Sequence, residues 1–233
     1  GLAFVDNENG RTAPATKVVF DENGGALNIV SAWKDLFDKG YAPNVGRSGS
    51  DTATTDFTSG KAAMMFGSTA SLKQVLQDTG DSFEVGTAYF PAVADGDEGG
   101  VSIGGASLWA LNNNDETKAA ATWKFVKFMI SPESQAYWNA QTGYFPITTA
   151  ASEEPVFQEN IAQYPQFQTA IDQLHDSAPE YAGALLSVFP ESRQIVETQI
   201  ENMLNGQQTP EESVANMAEE INETIEEYNL ING

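Results

Sequence analysis

The chain has 233 residues, with 33 Asp and Glu against 11 Lys and Arg, one His and no Cys, for a formal charge of −22. Lack of cysteine excludes disulfides, thiolate metal sites and a cysteine nucleophile, a single histidine excludes His-rich metal centres, and the acidity argues against nucleic acid or anionic lipid as partners. Hydrophobic residues at 41% and aromatics at 10% are those of a globular chain, long enough for one large domain or two small ones. From the N-terminus, Gly1–Val5 runs into Asp6-Asn7-Glu8-Asn9-Gly10, which reads as a turn and not as a signal segment. The chain is therefore expected to begin inside a longer protein. No apolar run approaches the roughly 18–20 residues of a membrane span.

A short strand is expected over 16–20, followed by a helix on which Ala26, Ile29, Val30, Trp33, Leu36 and Phe37 recur at helical spacing up to Lys39-Gly40. A second helix is expected over 51–57. Residues 61–66 read as a strand buried on both faces, and Gly67-Ser68-Thr69 breaks it to open a helix carrying Leu72, Val75 and Leu76. A further strand, 83–90, ends at Pro91. The Gly- and acid-rich stretch 92–100 reads as a linker or crossing, and a strand over 102–111 follows it. A long helix is expected over 115–130, with Lys124 and Lys127 toward its end, and Ser131-Pro132-Glu133 restarts a helix that runs to Gly143. Short helical pieces around Phe157, Ile161, Phe167, Ile171 and Leu174 come next, then a helix opened by Pro190 and ending at Asn205-Gly206. Thr209-Pro210-Glu211-Glu212 is a capping box, and Val214, Met217, Ala218, Ile221, Ile225 and Tyr228 form one apolar stripe behind it. Alternating strands and helices, then helices alone, predict an α/β protein closed by a helical C-terminal segment.

Chemistry is sparse. His175 in Gln-Leu-His-Asp reads as a solvated helical residue, and neither a P-loop nor a G-x-G-x-x-G occurs. Asp95-Gly-Asp97-Glu98 lacks the spacing of a calcium loop, and the sequon Asn222-Glu-Thr224 falls inside a helix. Carboxylates are plentiful enough for a glycosidase-like acidic pair, but most fall on the exposed faces of C-terminal helices. One charge stands apart: between Phe128 and Gly233 there are 17 acidic residues and a single basic one, Arg193, near the start of a helix where the dipole disfavours a cation. It has two readings, a salt bridge to Glu197 at i+4, or contact with an anionic or highly polar ligand. Gly104-Gly105 interrupts an apolar strand and Gly67-Ser68-Thr69 offers hydroxyl and amide groups at a turn; both suit a small ligand as well as they suit plain turns.

Taken together, Phe57-x-x-Gly60-Lys-Ala-Ala-Met64-Met, Ile103-Gly-Gly-Ala-Ser-Leu-Trp109, Ala121-x-Trp-Lys-Phe125, Ser131-Pro-Glu-Ser-Gln-Ala-Tyr-Trp138 and Thr142-Gly-Tyr-Phe-Pro146 resemble the extracellular solute-binding proteins of ABC importers, in the maltose-binding-like group. Val45-Gly-Arg47 and Pro190-x-x-Arg193 fit its glycerol-3-phosphate-binding branch. The resemblance runs from about Val45 to the C-terminus. It implies a type II periplasmic-binding-protein-like fold of two α/β lobes that close over a ligand, of which this chain holds the C-terminal part. On that scheme residues 1–91 belong to the second lobe, 92–143 cross and return to the first, and 144–233 complete the second.

Four ligand-binding residues follow from the resemblance: Ser68, Gly105 by its backbone, Tyr144, and Arg193 facing a phosphate. It implies a small-molecule ligand (glycerol 3-phosphate, a glycerophosphodiester or a sugar), a membrane permease as partner, a location outside the cytoplasm or anchored at the cell surface, and no enzymatic activity, cofactor or metal. Phe145 replaces a usual leucine, and Phe66-Gly67 replace small polar residues before the serine; either reshapes the pocket. Trp33, Trp109, Trp123 and Trp138 fall at core spacing and are expected to be buried instead of stacking on a sugar.

Overall fold

A computed structural model describes all residues except Asp97, Glu98, Asn113, Glu180, Tyr181 and Gly233. Half of the calcium-like turn, Asp97-Glu98, thus lies outside the described residues. Contacts divide the chain into two compact units, one of Gly1–Thr52, Pro91–Ser102 and Ser177–Gly233, the other of Ala53–Phe90 and Ile103–Asp176. The acidic stretch therefore begins and ends beside points where the chain passes from one unit to the other. The changes at Thr52–Ala53 and Asp176–Ser177 coincide with no composition signal.

The first unit is built on three helices, α1 (Gly25–Asp38), α8 (Phe189–Leu204) and α9 (Pro210–Asn232). The capping box forms as the sequence predicts, with the Glu212 amide donating to Thr209 Oγ1 at 3.2 Å and the Thr209 amide to Glu212 Oε2 at 2.8 Å. Behind it the stripe Val214, Met217, Ala218, Ile221 and Ile225 is buried against Met203 and Leu204 of α8 and against Val5, Val18, Phe20 and Val30, while Tyr228 stays partly exposed. Each such side chain contributes about 1.5–3 kcal/mol on burial, so this face dominates the unit. Asp6–Gly10 forms a single turn whose Asn7, Glu8 and Asn9 are left-handed, and the Asn9 side chain accepts from the amides of Phe4 and Val5.

The second unit holds most of α2 (Ser50–Thr58), with α3 (Leu72–Thr79), α4 (Glu116–Met129), α5 (Pro132–Thr142), α6 (Pro155–Gln163) and α7 (Gln166–Asp176). Ser131 caps α5, as its sequence predicts, and Asp115 caps α4. Its core is two small clusters. Phe57, Val75 and Val85 meet Phe83, which lies edge-on to Phe57 at 5.6 Å, while Ala136, Ala151 and Phe157 gather Ile161 and Ile171.

The expected strands do not form. Among the described residues the β pairing is one bridge, Val5 with Val18. A strand is only half of a hydrogen-bonded pair, and a pattern read one segment at a time says nothing of where its neighbour is. Segment 83–90 finds other partners on one face of α7: Gln166 Nε2 donates to the Val85 carbonyl at 2.7 Å, Thr87 to Thr169 at 2.8 Å, Tyr89 to Asp176 at 2.7 Å, and Gln173 bonds both backbone groups of Phe90. The hydrogen bond to Asp176 pushes the Tyr89 phenol up to about 12. Segment 61–66 leaves Met64 87% exposed, not buried on both faces, and 102–111 exposes Ile103, Leu108 and Leu111. None of the four tryptophans is core: Trp33, Trp109, Trp123 and Trp138 are 43, 87, 57 and 49% exposed. Their spacing correctly marks apolar faces, but no buried residue lies on α4, where Trp123 sits.

Candidate functional site

Three of the four candidate residues lie in the second unit and Arg193 lies in the first. Ser68 is the N-cap of a 3₁₀ turn, Thr69–Ser71, that leads into α3. Its Oγ accepts from the Ala70 amide at 3.3 Å and its carbonyl from the Ser71 hydroxyl at 2.7 Å. That fixes the residue as an exposed hydroxyl at a helix entry that can still donate.

Tyr144 reaches the same place from α5. Gly143 ends that helix at φ +100°, and its backbone lies so close to the Ser68 turn that a Cβ would stand 2.4 Å from the Thr69 carbonyl oxygen. Only glycine satisfies both the sign of φ and that approach. The next residue, Tyr144, is held by its neighbours: its amide donates to Thr142 Oγ1 at 3.1 Å and its carbonyl accepts from Asn139 Nδ2 at 2.8 Å. Asn139 is 2% exposed, and its Oδ1 has no hydrogen-bond partner among the described residues. The Tyr144 ring lies 6.4 Å from that of Trp138 at 44°, giving an aromatic corner open to solvent beside the Ser68 turn. Sequence reasoning found Ser68 and Tyr144 but missed what joins them: Gly143 read as a helix stop, and Asn139 carries no signal beyond being polar on an otherwise buried face.

Gly105 has φ +152°, a conformation that favours glycine, and a Cβ there would meet nothing within 4 Å. Arg193 stands in the second turn of α8, 67% exposed by side chain, with its guanidinium 4.0 Å from Glu197 Oε1. That is the outer limit of an ion pair and far longer than the 2.7–2.9 Å of a charge-assisted hydrogen bond. The local salt bridge is therefore loose, and Arg193 keeps donors for another acceptor. His175 is an exposed residue of α7, as its sequence context predicts. Among the described residues no group of three or more His, Cys, Asp or Glu could hold a metal ion, and no helix is long and apolar enough to cross a membrane. A shallow depression in the first unit, lined by Thr16, Lys17, Asn222 and Glu226, contains none of the four residues.

The corner offers a hydroxyl turn and two aromatic rings, and sequence comparison shows the family to which the chain belongs. Residues 2–169 match the family described as bacterial extracellular solute-binding protein, and the chain belongs to that family. Over 230 residues it is 29% identical to the sn-glycerol-3-phosphate-binding periplasmic protein UgpB of Salmonella typhimurium and equally to that of Escherichia coli K12, covering 98% of this chain and 52% of each relative. The chain thus spans about half the length of the curated relatives it matches. Among solved structures, UgpB from Mycobacterium tuberculosis in complex with glycerophosphocholine matches 91% of this chain and 51% of that one, with a TM-score of 0.69 at 20% identity. The sugar-binding protein MalE from Xanthomonas citri matches 99% of this chain and 54% of that one, with a TM-score of 0.73 at 18% identity. These likenesses establish the fold of the solute-binding proteins; the location outside the cytoplasm is that of the family.

Proposed function

We propose that the chain is part of the ligand-capturing component of an ABC importer, and that its ligand is glycerol 3-phosphate or a glycerophosphodiester handed to a membrane permease. The observation that carries this reading is Arg193, the sole base among 17 acids in the stretch from Phe128 onward, standing near a helix start with only a loose contact to Glu197. A cation kept there against both the helix dipole and its own relaxed pairing fits an anion better than a structural bridge. Ser68, Tyr144 and the Gly105 backbone would take the glycerol hydroxyls, donating and accepting as a polyol requires. The relatives named for glycerol 3-phosphate, and the solved relative holding glycerophosphocholine, support the same ligand class.

In this reading the intact protein has two α/β lobes, with 1–91 and 144–233 in the second and 92–143 crossing toward the first. Ligand bridging the half-sites would draw the lobes closed by binding that state better. A sugar is the second reading, favoured by the exposed Trp138–Tyr144 corner, which offers a stacking face. Thermal unfolding of the intact protein with glycerol 3-phosphate, glycerophosphocholine, maltose and glycerol separates the two. A ligand at about 100 times its Kd adds about 2.7 kcal/mol of stability. The phosphate compounds are expected to raise the midpoint and maltose to leave it unchanged; the reverse pattern assigns the site to a sugar.

A further inference from the structure

Glu197 has a second arginine beside it. The Arg47 Nε lies 3.9 Å from Glu197 Oε2 while Arg193 lies 4.0 Å from Oε1, so one carboxylate stands between two guanidinium groups, each oxygen facing its own. Arg47 is brought there by a tightly built loop. Asn44 donates from Nδ2 to Glu201, one turn along α8 from Glu197, at 3.2 Å, and its Oδ1 accepts from the Gly46 amide at 2.8 Å. Gly46 has φ +77°, Ser48 φ +57°, and a Cβ on Gly49 would stand 2.6 Å from the Val45 carbonyl oxygen. The loop thus grips α8 at Glu201 and sets Arg47 at Glu197. In a chain of net charge −22 with 11 Lys and Arg, two arginines converging on one glutamate is a costly use of cations unless the position needs them.

We propose that Arg47 is a positioning residue for anion binding: it competes with Arg193 for Glu197 and offsets its charge, so that Arg193 is free to meet a phosphate. This inference rests on the reading of Arg193 given above. Without Arg47, Glu197 would turn fully to Arg193, occupying its donors and placing an unbalanced negative charge beside the incoming anion. With Arg47 present, the trio carries one net positive charge, and the carboxylate is shared between the two guanidinium groups at 3.9 and 4.0 Å instead of closing on Arg193 alone.

The test uses the chain itself with inorganic phosphate, glycerol 3-phosphate and uncharged glycerol, reading affinity in every variant by calorimetric titration and, in those that keep Arg193, its Nε resonance by nitrogen-15 NMR. Arg47→Ala is expected to weaken the phosphate response roughly two- to fivefold, the size of a partly exposed charge contact, and to leave glycerol unchanged. Arg47→Lys should keep a larger share, Glu197→Gln should strengthen the response, and the double variant Arg47→Ala/Glu197→Gln should recover at least the wild-type response. A packing role for Arg47 would weaken both single and double variants alike, which overturns the proposal, as would a phosphate response absent from wild type and Glu197→Gln. If Arg47→Ala is silent while Arg193→Ala abolishes binding, Arg47 is excluded and the reading of Arg193 survives. Phosphate binding of unchanged strength in Arg193→Ala would instead remove that reading.

Discussion

The two units treat their apolar residues in opposite ways. In the first, one long helix lays an unbroken stripe from Val214 to Ile225 against α8, and Ile221 and Met203 are wholly buried. In the second, the apolar residues are as numerous but many face water: Met64, Phe66, Trp109, Trp123, Phe125 and Phe128 are all more than half exposed. The difference follows from where each segment finds its partner. The first unit's stripe meets its complement within the same chain, while segments 61–66 and 102–111 have strand composition and no ladder to join.

The sharpest way to probe that contrast is truncation on both sides. Ile221→Ala in the first unit removes a fully buried side chain and is expected to cost about 2–5 kcal/mol, read as a lower urea midpoint. Phe128→Ala on α4 should stay within about 0.5 kcal/mol, as for a solvent-facing change. Equal losses at both positions would erase the distinction between the units. Next in size, Gly143→Ala must move the Thr69 carbonyl or unwind the end of α5, and strain of this kind costs about 1–3 kcal/mol. Protection of the Ser71 and Tyr144 amides from hydrogen exchange should fall while the first unit is unaffected. Thr209→Ala breaks the capping box of α9 and is expected to cost about 0.5–2 kcal/mol, seen as a lower midpoint for the first unit.

The smallest effect is a matter of pH. Burial of Asp6 opposes its ionisation, but hydrogen bonds from the Thr16 hydroxyl and amide and from the Lys17 amide outweigh it, so its pKa lies below the ordinary 3.8. A carboxyl depressed by folding stabilises the folded state fully above its unfolded pKa, and that contribution fades as pH falls through the lower folded value. Amide exchange at Thr16 should therefore accelerate below about pH 4, and Asp6→Asn should abolish that dependence.

Helices were legible in the sequence because their signals are local. Asp115, Ser131 and the Thr209 box each cap the helix they announce, and Pro190 and Gly143 mark ends within a residue or two. Strands were not, because pairing depends on residues far away in the chain, and segment 83–90 shows how a helix face bearing Gln166, Thr169, Gln173 and Asp176 can take a strand's place. Tryptophans misled for the same reason: spacing identifies a face but not what covers it. Of the candidate site, Ser68 and Tyr144 were legible as a hydroxyl turn and a motif residue, and Arg193 as the lone base in an acidic stretch. The Gly143–Thr69 approach and the Arg47–Glu197 contact were hidden, since both join positions more than seventy residues apart.

Calorimetric titration of the intact protein with glycerol 3-phosphate, wild type beside Arg193→Ala, tests the central claim most directly. The account predicts saturable one-to-one binding that the substitution weakens by about tenfold or more, the scale of a lost hydrogen bond to a charged group. Binding of equal strength in both proteins, or no binding of the phosphate ester by wild type, would contradict it.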